Sequence, residues 1–190
     1  DDVYISTNII PHNVIYLGQT RVPIGVEGTS SPLKYDLIEL SQIARNFSNT
    51  RDLGLKVAGD YKYFDYYAGA FNGSRYGSKD LNTDMDIAGW LNIKPLAGHP
   101  ELGKLDVGTG YVYGKGTNSY DTFGLYSAYK YKKAAIKYEW AFSDGGYAAA
   151  NRKSSGWYLT GLYDITPKTQ LVLRYDRFDP NRTVDENIIT

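Results

Sequence analysis

Cysteine is absent from the 190-residue chain, methionine occurs once, and histidine occurs only at positions 12 and 99. The missing thiols exclude disulfides, thiol nucleophiles and cysteine-ligated zinc. Two histidines so far apart leave little for imidazole chemistry. No sign of charge is in excess, since 21 Lys and Arg face 21 Asp and Glu, whereas a nucleic-acid binder needs a basic surplus. No apolar run approaches the roughly 20 residues of a membrane helix. Also missing are a phosphate loop, a dinucleotide glycine fingerprint, a Gly-x-Ser-x-Gly elbow and a His-Glu-x-x-His pair. Asp80, Asn82 and Asp84 open with calcium-loop spacing. Met85 then stands where Gly is needed and Leu91 where Glu is needed, so this stretch reads as a solvated acidic loop. The chain is therefore expected to use no cofactor or metal and not to be an enzyme.

What is abundant is tyrosine, at 19 residues, and glycine, at 20, in a chain that is 42% apolar and 15% aromatic. That composition excludes disorder. Alternation of apolar and polar residues is nearly continuous. Leu105, Val107, Thr109, Tyr111 and Tyr113 share one face, and Ile136, Tyr138, Trp140 and Phe142 repeat the pattern. Such alternation marks strands with one apolar and one polar side. It predicts ten strands, at 2–9, 14–23, 51–61, 64–72, 83–94, 104–114, 121–131, 134–143, 156–165 and 169–178. Short turns alternate with longer polar connections, as in an up-and-down meander. The apolar side is nearly free of charge. The other side carries Arg21, Lys56, Asp60, Asp65, Asp106, Lys137, Glu139, Arg174 and Asp176. Bulky aromatics near the strand ends, Tyr61, Phe64, Tyr113, Tyr131 and Trp157 among them, suit the girdles of a lipid interface. The expected fold class is all-β, an antiparallel up-and-down transmembrane β-barrel. A soluble all-β domain is the alternative.

One connection stands apart. Residues 24–50 form a long loop in which Leu37, Leu40, Ala44 and Phe47 recur at helical spacing. A loop of this length within a compact domain usually serves function, and a short helix capping the sheet is the plainer reading.

Three motifs in order resemble the phosphate-selective porin family (O and P type). Gly18-Gln19-Thr20-Arg21-Val22-Pro23-Ile24-Gly25 looks like its Gly-Gln-x-x-x-Pro-x-Gly motif. Arg51-Asp52-Leu53-Gly54 is similar to its Arg-Asp-x-Gly strand, and Gly69-Ala70-Phe71-Asn72-Gly73 to its Gly-x-Phe-Asn-Gly strand end. The resemblance implies a trimeric barrel of about sixteen strands in the bacterial outer membrane, in contact with lipid. It further implies passive diffusion of small anions, notably phosphate or polyphosphate, past a loop folded into the lumen. On that reading residues 1–190 are a single porin-like domain, incomplete at both ends, and the 24–50 loop enters the pore. Arg21, Lys34, Arg45 and Arg51 would converge at the constriction, and Lys56, Lys137 and Arg174 would extend the anion path along the wall. Two features depart from the family: the chain is neutral, and its polar side is rich in Asp. A different class of function stays open, a non-transporting β-protein. It would be either a ten-stranded barrel with a filled interior or a soluble sugar-binding β-sheet domain.

Overall fold

A computed structural model describes residues 2–48, 50–73, 84–115, 119–145, 153–182 and 188–189. Asp80 and Asn82 of the acidic loop lie outside them. The strands are β1 (Val3–Thr7), β2 (Asn13–Arg21), β3 (Arg51–Asp60), β4 (Phe64–Phe71) and β5 (Asp86–Ile93). They continue with β6 (Lys104–Lys115), β7 (Ser119–Tyr131), β8 (Ala134–Asp144), β9 (Lys153–Thr166) and β10 (Thr169–Asp179). A two-residue β11, Ile188–Ile189, pairs with Arg177 and Phe178 in a stretch that the residue pattern reads as loop. The strands coincide with the alternating segments to within about three residues at each end, as expected where the pleat period of two dictates local structure.

All eleven strands form one antiparallel sheet in sequence order, from β1 to β11. The expected barrel is not there. No ladder joins β1 to β11 among the described residues, so the sheet is open and encloses no lumen. The physical reason lies in the ends. A meander of eleven strands leaves its first and last strands running the same way, and antiparallel closure needs an even number. The two edge strands are also short, at five and two residues. The transmembrane barrel, its pore and its ion transport are therefore corrected to an open sheet. So are the outer-membrane location, the lipid contact and the trimer, which rested on that barrel. An open edge exposes a row of unpaired N–H and C=O groups, which hydrocarbon does not tolerate. No helix is long and apolar enough to cross a membrane among the described residues.

The sheet has two unlike sides. On one, Leu17, Leu55, Ile87, Leu91, Val107, Leu125, Ile136, Leu159 and Leu173 are exposed. The other, polar side is covered by the connection between β2 and β3, which lies across it as a strap. Two apolar clusters seat the strap. Val22 and Ile24 pack with Phe71, Ala88 and Val112. Ile43 and Phe47 pack with Ala141, Tyr158 and Phe178. Burying each large strap side chain contributes about 1.5–3 kcal/mol. The helical spacing across 35–47 resolves into one short helical stretch: Gln42 and Ile43 are α-helical and run into a π-helical turn, Ala44–Ser48, while Leu37 lies in a bend and Leu40 in irregular backbone before it.

A row of cross-strand partners explains how the strap gets so close. Trp90, Gly110, Gly124, Ala141 and Gly156 stand side by side on β5 to β9. A Cβ on Gly110 would come within 3.1 Å of Ile24 Cδ1. The row begins with one aromatic and then drops to small residues, leaving a trough for the strap's apolar side chains.

Candidate functional site

Beside the trough a hollow of about 530 Å³ opens between strap and sheet. Strands β2 to β7 form its floor, and Val26, Ser30 and Lys34 of the strap form its wall. Tyr16, Tyr67, Trp90 and Tyr126 bring aromatic rings to it. Tyr67 on β4 and Trp90 on β5 are cross-strand partners, with ring centroids 5.5 Å apart and planes inclined by 41°. Beside them lies a polar cluster. Asn92, two residues along β5 from Trp90 and so on the same side of the sheet, donates through Nδ2 to Asp65 and Asp106, each at 3.1 Å. Its Oδ1 is buried with no hydrogen-bond partner among the described residues.

The carboxylates are held by amines. Lys94 Nζ bridges Asp60 and Asp65 at 2.8 Å each, and Lys104 Nζ meets Asp106 at 2.9 Å. Burial by itself would depress the Lys94 amine, but its hydrogen bonds to Asp60 and Asp65 outweigh that and raise it. Tyr67 is raised by burial, with Asp65 adding to the shift. Tyr126, which also lines the hollow, is raised by burial and then by Asp106 and Glu139. Both phenols therefore stay neutral and can donate as well as accept hydrogen bonds. The chemistry assembled here is an aromatic platform beside fixed carboxylate and amide groups.

The cations expected to line an anion path are dispersed, and most are engaged. Arg21 Nη1 donates to the carbonyls of Gly28 and Ser30 in the strap. Lys34 stands exposed at the rim of the hollow. Arg45 pairs with Glu39 at 2.7 Å, and Arg51 with Asp2 at 2.7 Å. Lys137 binds Asp36 of the strap at 2.6 Å. Arg174 binds Glu27 at 2.6 Å, with both side chains buried, and its guanidinium lies 4.9 Å from the centre of the Tyr158 ring. Lys56 lies over the Tyr16 and Tyr67 rings. The structure brings Arg21 and Lys56 to one small hollow and Arg45 and Arg174 to another. Arg21 and Arg51 stand opposite each other as cross-strand partners of β2 and β3, whereas Lys34 lines the large hollow and Arg45 the one it shares with Arg174. Lys137 and Arg174 pin the strap.

Trp90 and Asn92 escaped the reading of residues, which treated Asp65 and Asp106 only as parts of a polar wall. A signal was present: Trp90 falls on the polar side of its strand, between Ala88 and Asn92. A large aromatic at a polar-side position is out of pattern. Its partnership with Tyr67 depends on register between strands, which one segment does not encode.

No protein-family model matches the chain, and no curated protein matches it. The three short motifs that resemble the phosphate-selective porins therefore have no support from any family-wide match. With no closed barrel behind them either, that family assignment is withdrawn, and the anion-diffusion function with it.

Proposed function

We propose that this chain is a non-transporting β-sheet protein that binds a carbohydrate in the hollow between strap and sheet, without turning it over. The observation that carries the reading is Trp90 and Tyr67 set beside the Asp65–Asn92–Asp106 cluster. A pyranose presents an apolar C–H face and a rim of hydroxyls. An aromatic ring suits the first, and carboxylates and amides, which accept or donate in fixed directions, suit the second. Residues two apart on a strand are about 7 Å apart, so one sugar ring can lie on Trp90 with its hydroxyls over Asn92. The volume falls within the range of small-molecule sites.

Binding without turnover is favoured by how the carboxylates are held. Asp60 and Asp65 share Lys94, and Asp106 is tied to Lys104. Ion-paired carboxylates are firm acceptors for hydroxyls and poor proton donors.

The test is titration with gluco-, xylo- and manno-oligosaccharides, followed by calorimetry and tryptophan fluorescence. Binding of at least one series is expected, weakened at least about tenfold by Trp90→Ala through loss of the stacked ring. No new reducing ends should appear on prolonged incubation. Absence of binding across all series, or unchanged binding in Trp90→Ala, overturns the reading.

A further inference from the structure

Across Tyr67 and Trp90 from the large hollow lies a second, smaller one of about 60 Å³. It is lined by Arg21, Pro23, Thr29, Lys56, Tyr67 and Trp90. We propose that Lys56 is a nucleophilic amine in this hollow, where it forms imines with small aldehydes. The inference is independent of carbohydrate binding next door.

Half-burial in a hollow shared with Arg21 sets Lys56 apart from exposed lysines such as Lys62 and Lys132. The Lys56 Nζ lies 4.8 Å from the centre of the Tyr16 ring and 6.0 Å from that of Tyr67. No carboxylate lies within ion-pair distance among the described residues, whereas Lys94, Lys104, Lys137 and Lys153 each have one. The Arg21 guanidinium is close enough to repel a second positive charge. Half-burial removes water that would stabilise an ammonium, and it is the largest influence lowering this amine; Asp2 opposes it and Arg21 reinforces it. Desolvation beside another cation is how a lysine becomes a nucleophile near neutral pH.

The reaction needs no oxidant. The Nζ lone pair attacks the aldehyde carbon and the carbonyl electron pair moves to oxygen. Proton transfer from nitrogen to oxygen gives the carbinolamine, and loss of water gives the imine. The hollow's volume admits about four water-sized groups, which restricts the partner to aldehydes of two or three carbons, or to the aldehyde end of a longer molecule.

The experiment uses the full chain with glycolaldehyde and sodium cyanoborohydride at pH 7. The hydride reduces each imine to a stable secondary amine, and peptide mass spectrometry reads the rate at each lysine. Lys62 and Lys132 are the controls, because each also sits 5.0 Å from a tyrosine ring centre yet is exposed. Lys56 is expected to react at least about fivefold faster than either. Arg21→Gln should lower the Lys56 rate and leave Lys62 unchanged. Labelling of Lys56 no faster than the two controls overturns the proposal, as does an Arg21→Gln variant with an undiminished Lys56 preference.

Discussion

Glu139 of β8 accepts the backbone N–H of Val26 at 3.0 Å, so a fully buried carboxylate on the sheet holds the strap where it crosses. Tyr158 donates to the other oxygen at 2.8 Å. Gly25, with φ of +71°, makes the turn that aims this amide. Nearby, Glu27 takes the Ser41 N–H and Asp176 takes the Gln42 N–H, each at 2.7 Å. Three buried carboxylates thus anchor the strap, with Arg174 as the cation beside them.

That excess of buried negative charge makes stability depend on pH. Burial pushes the Glu139 carboxyl up to about 7; its hydrogen bonds from Tyr158 and Val26 pull the other way, and the nearby Glu27 carboxylate raises it further. Asp176 is raised as well, chiefly by burial. A carboxyl raised on folding binds its proton more tightly in the native state. Its stabilising effect is complete below the unfolded value near 4.5 and is lost as pH rises through 7. Urea unfolding at pH 5 and pH 8 should show a loss of roughly 3 kcal/mol in wild type relative to Glu139→Gln. Equal pH slopes in the two proteins would contradict this.

Removing Arg174 leaves Glu27 buried beside Glu139 with no cation. Arg174→Met should destabilise by about 3–5 kcal/mol. Adding Glu27→Gln should recover most of the loss, because the penalty belongs to the stranded charge. Denaturant midpoints of the single and double variants decide it.

Phe47 is buried against Phe178, with ring centroids 5.5 Å apart. Phe47→Ala should cost about 3–5 kcal/mol. Hydrogen exchange should quicken first at Arg45 N–H, which bonds to the Ser41 carbonyl, before it quickens in β6 to β8. Uniform loosening would mean that strap and sheet unfold as one unit.

Gly25 is a backbone requirement of the anchor. A Cβ there would stand 2.9 Å from both Glu139 Oε1 and Ser48 Oγ, at a φ that other residues adopt at a cost. Gly25→Ala should destabilise by about 1–3 kcal/mol, and the pH slope assigned to Glu139 should shrink as the strap lifts. An unchanged melting temperature would show the strap free to re-seat.

Strand positions, the short turns and the gathering of apolar residues on one side of the sheet were all determined by the chain's own residue pattern. Each follows from a period of two within a single segment: Leu105 to Tyr113 alternates whatever lies around it. The same pattern located the long connection between β2 and β3. Tertiary structure alone decided the rest. Whether β1 meets β11 depends on strand number, twist and edge length summed over the whole sheet, and no local alternation carries that sum. An apolar side reads alike in an open sheet and in a closed barrel. The site was hidden for a similar reason. Trp90 meets Tyr67, and Asn92 meets Asp65 and Asp106, through the registers of β4 on β5 and the packing of neighbouring strands. Register is fixed between segments by turns and by the face each strand buries, so those meetings exist only in the folded sheet.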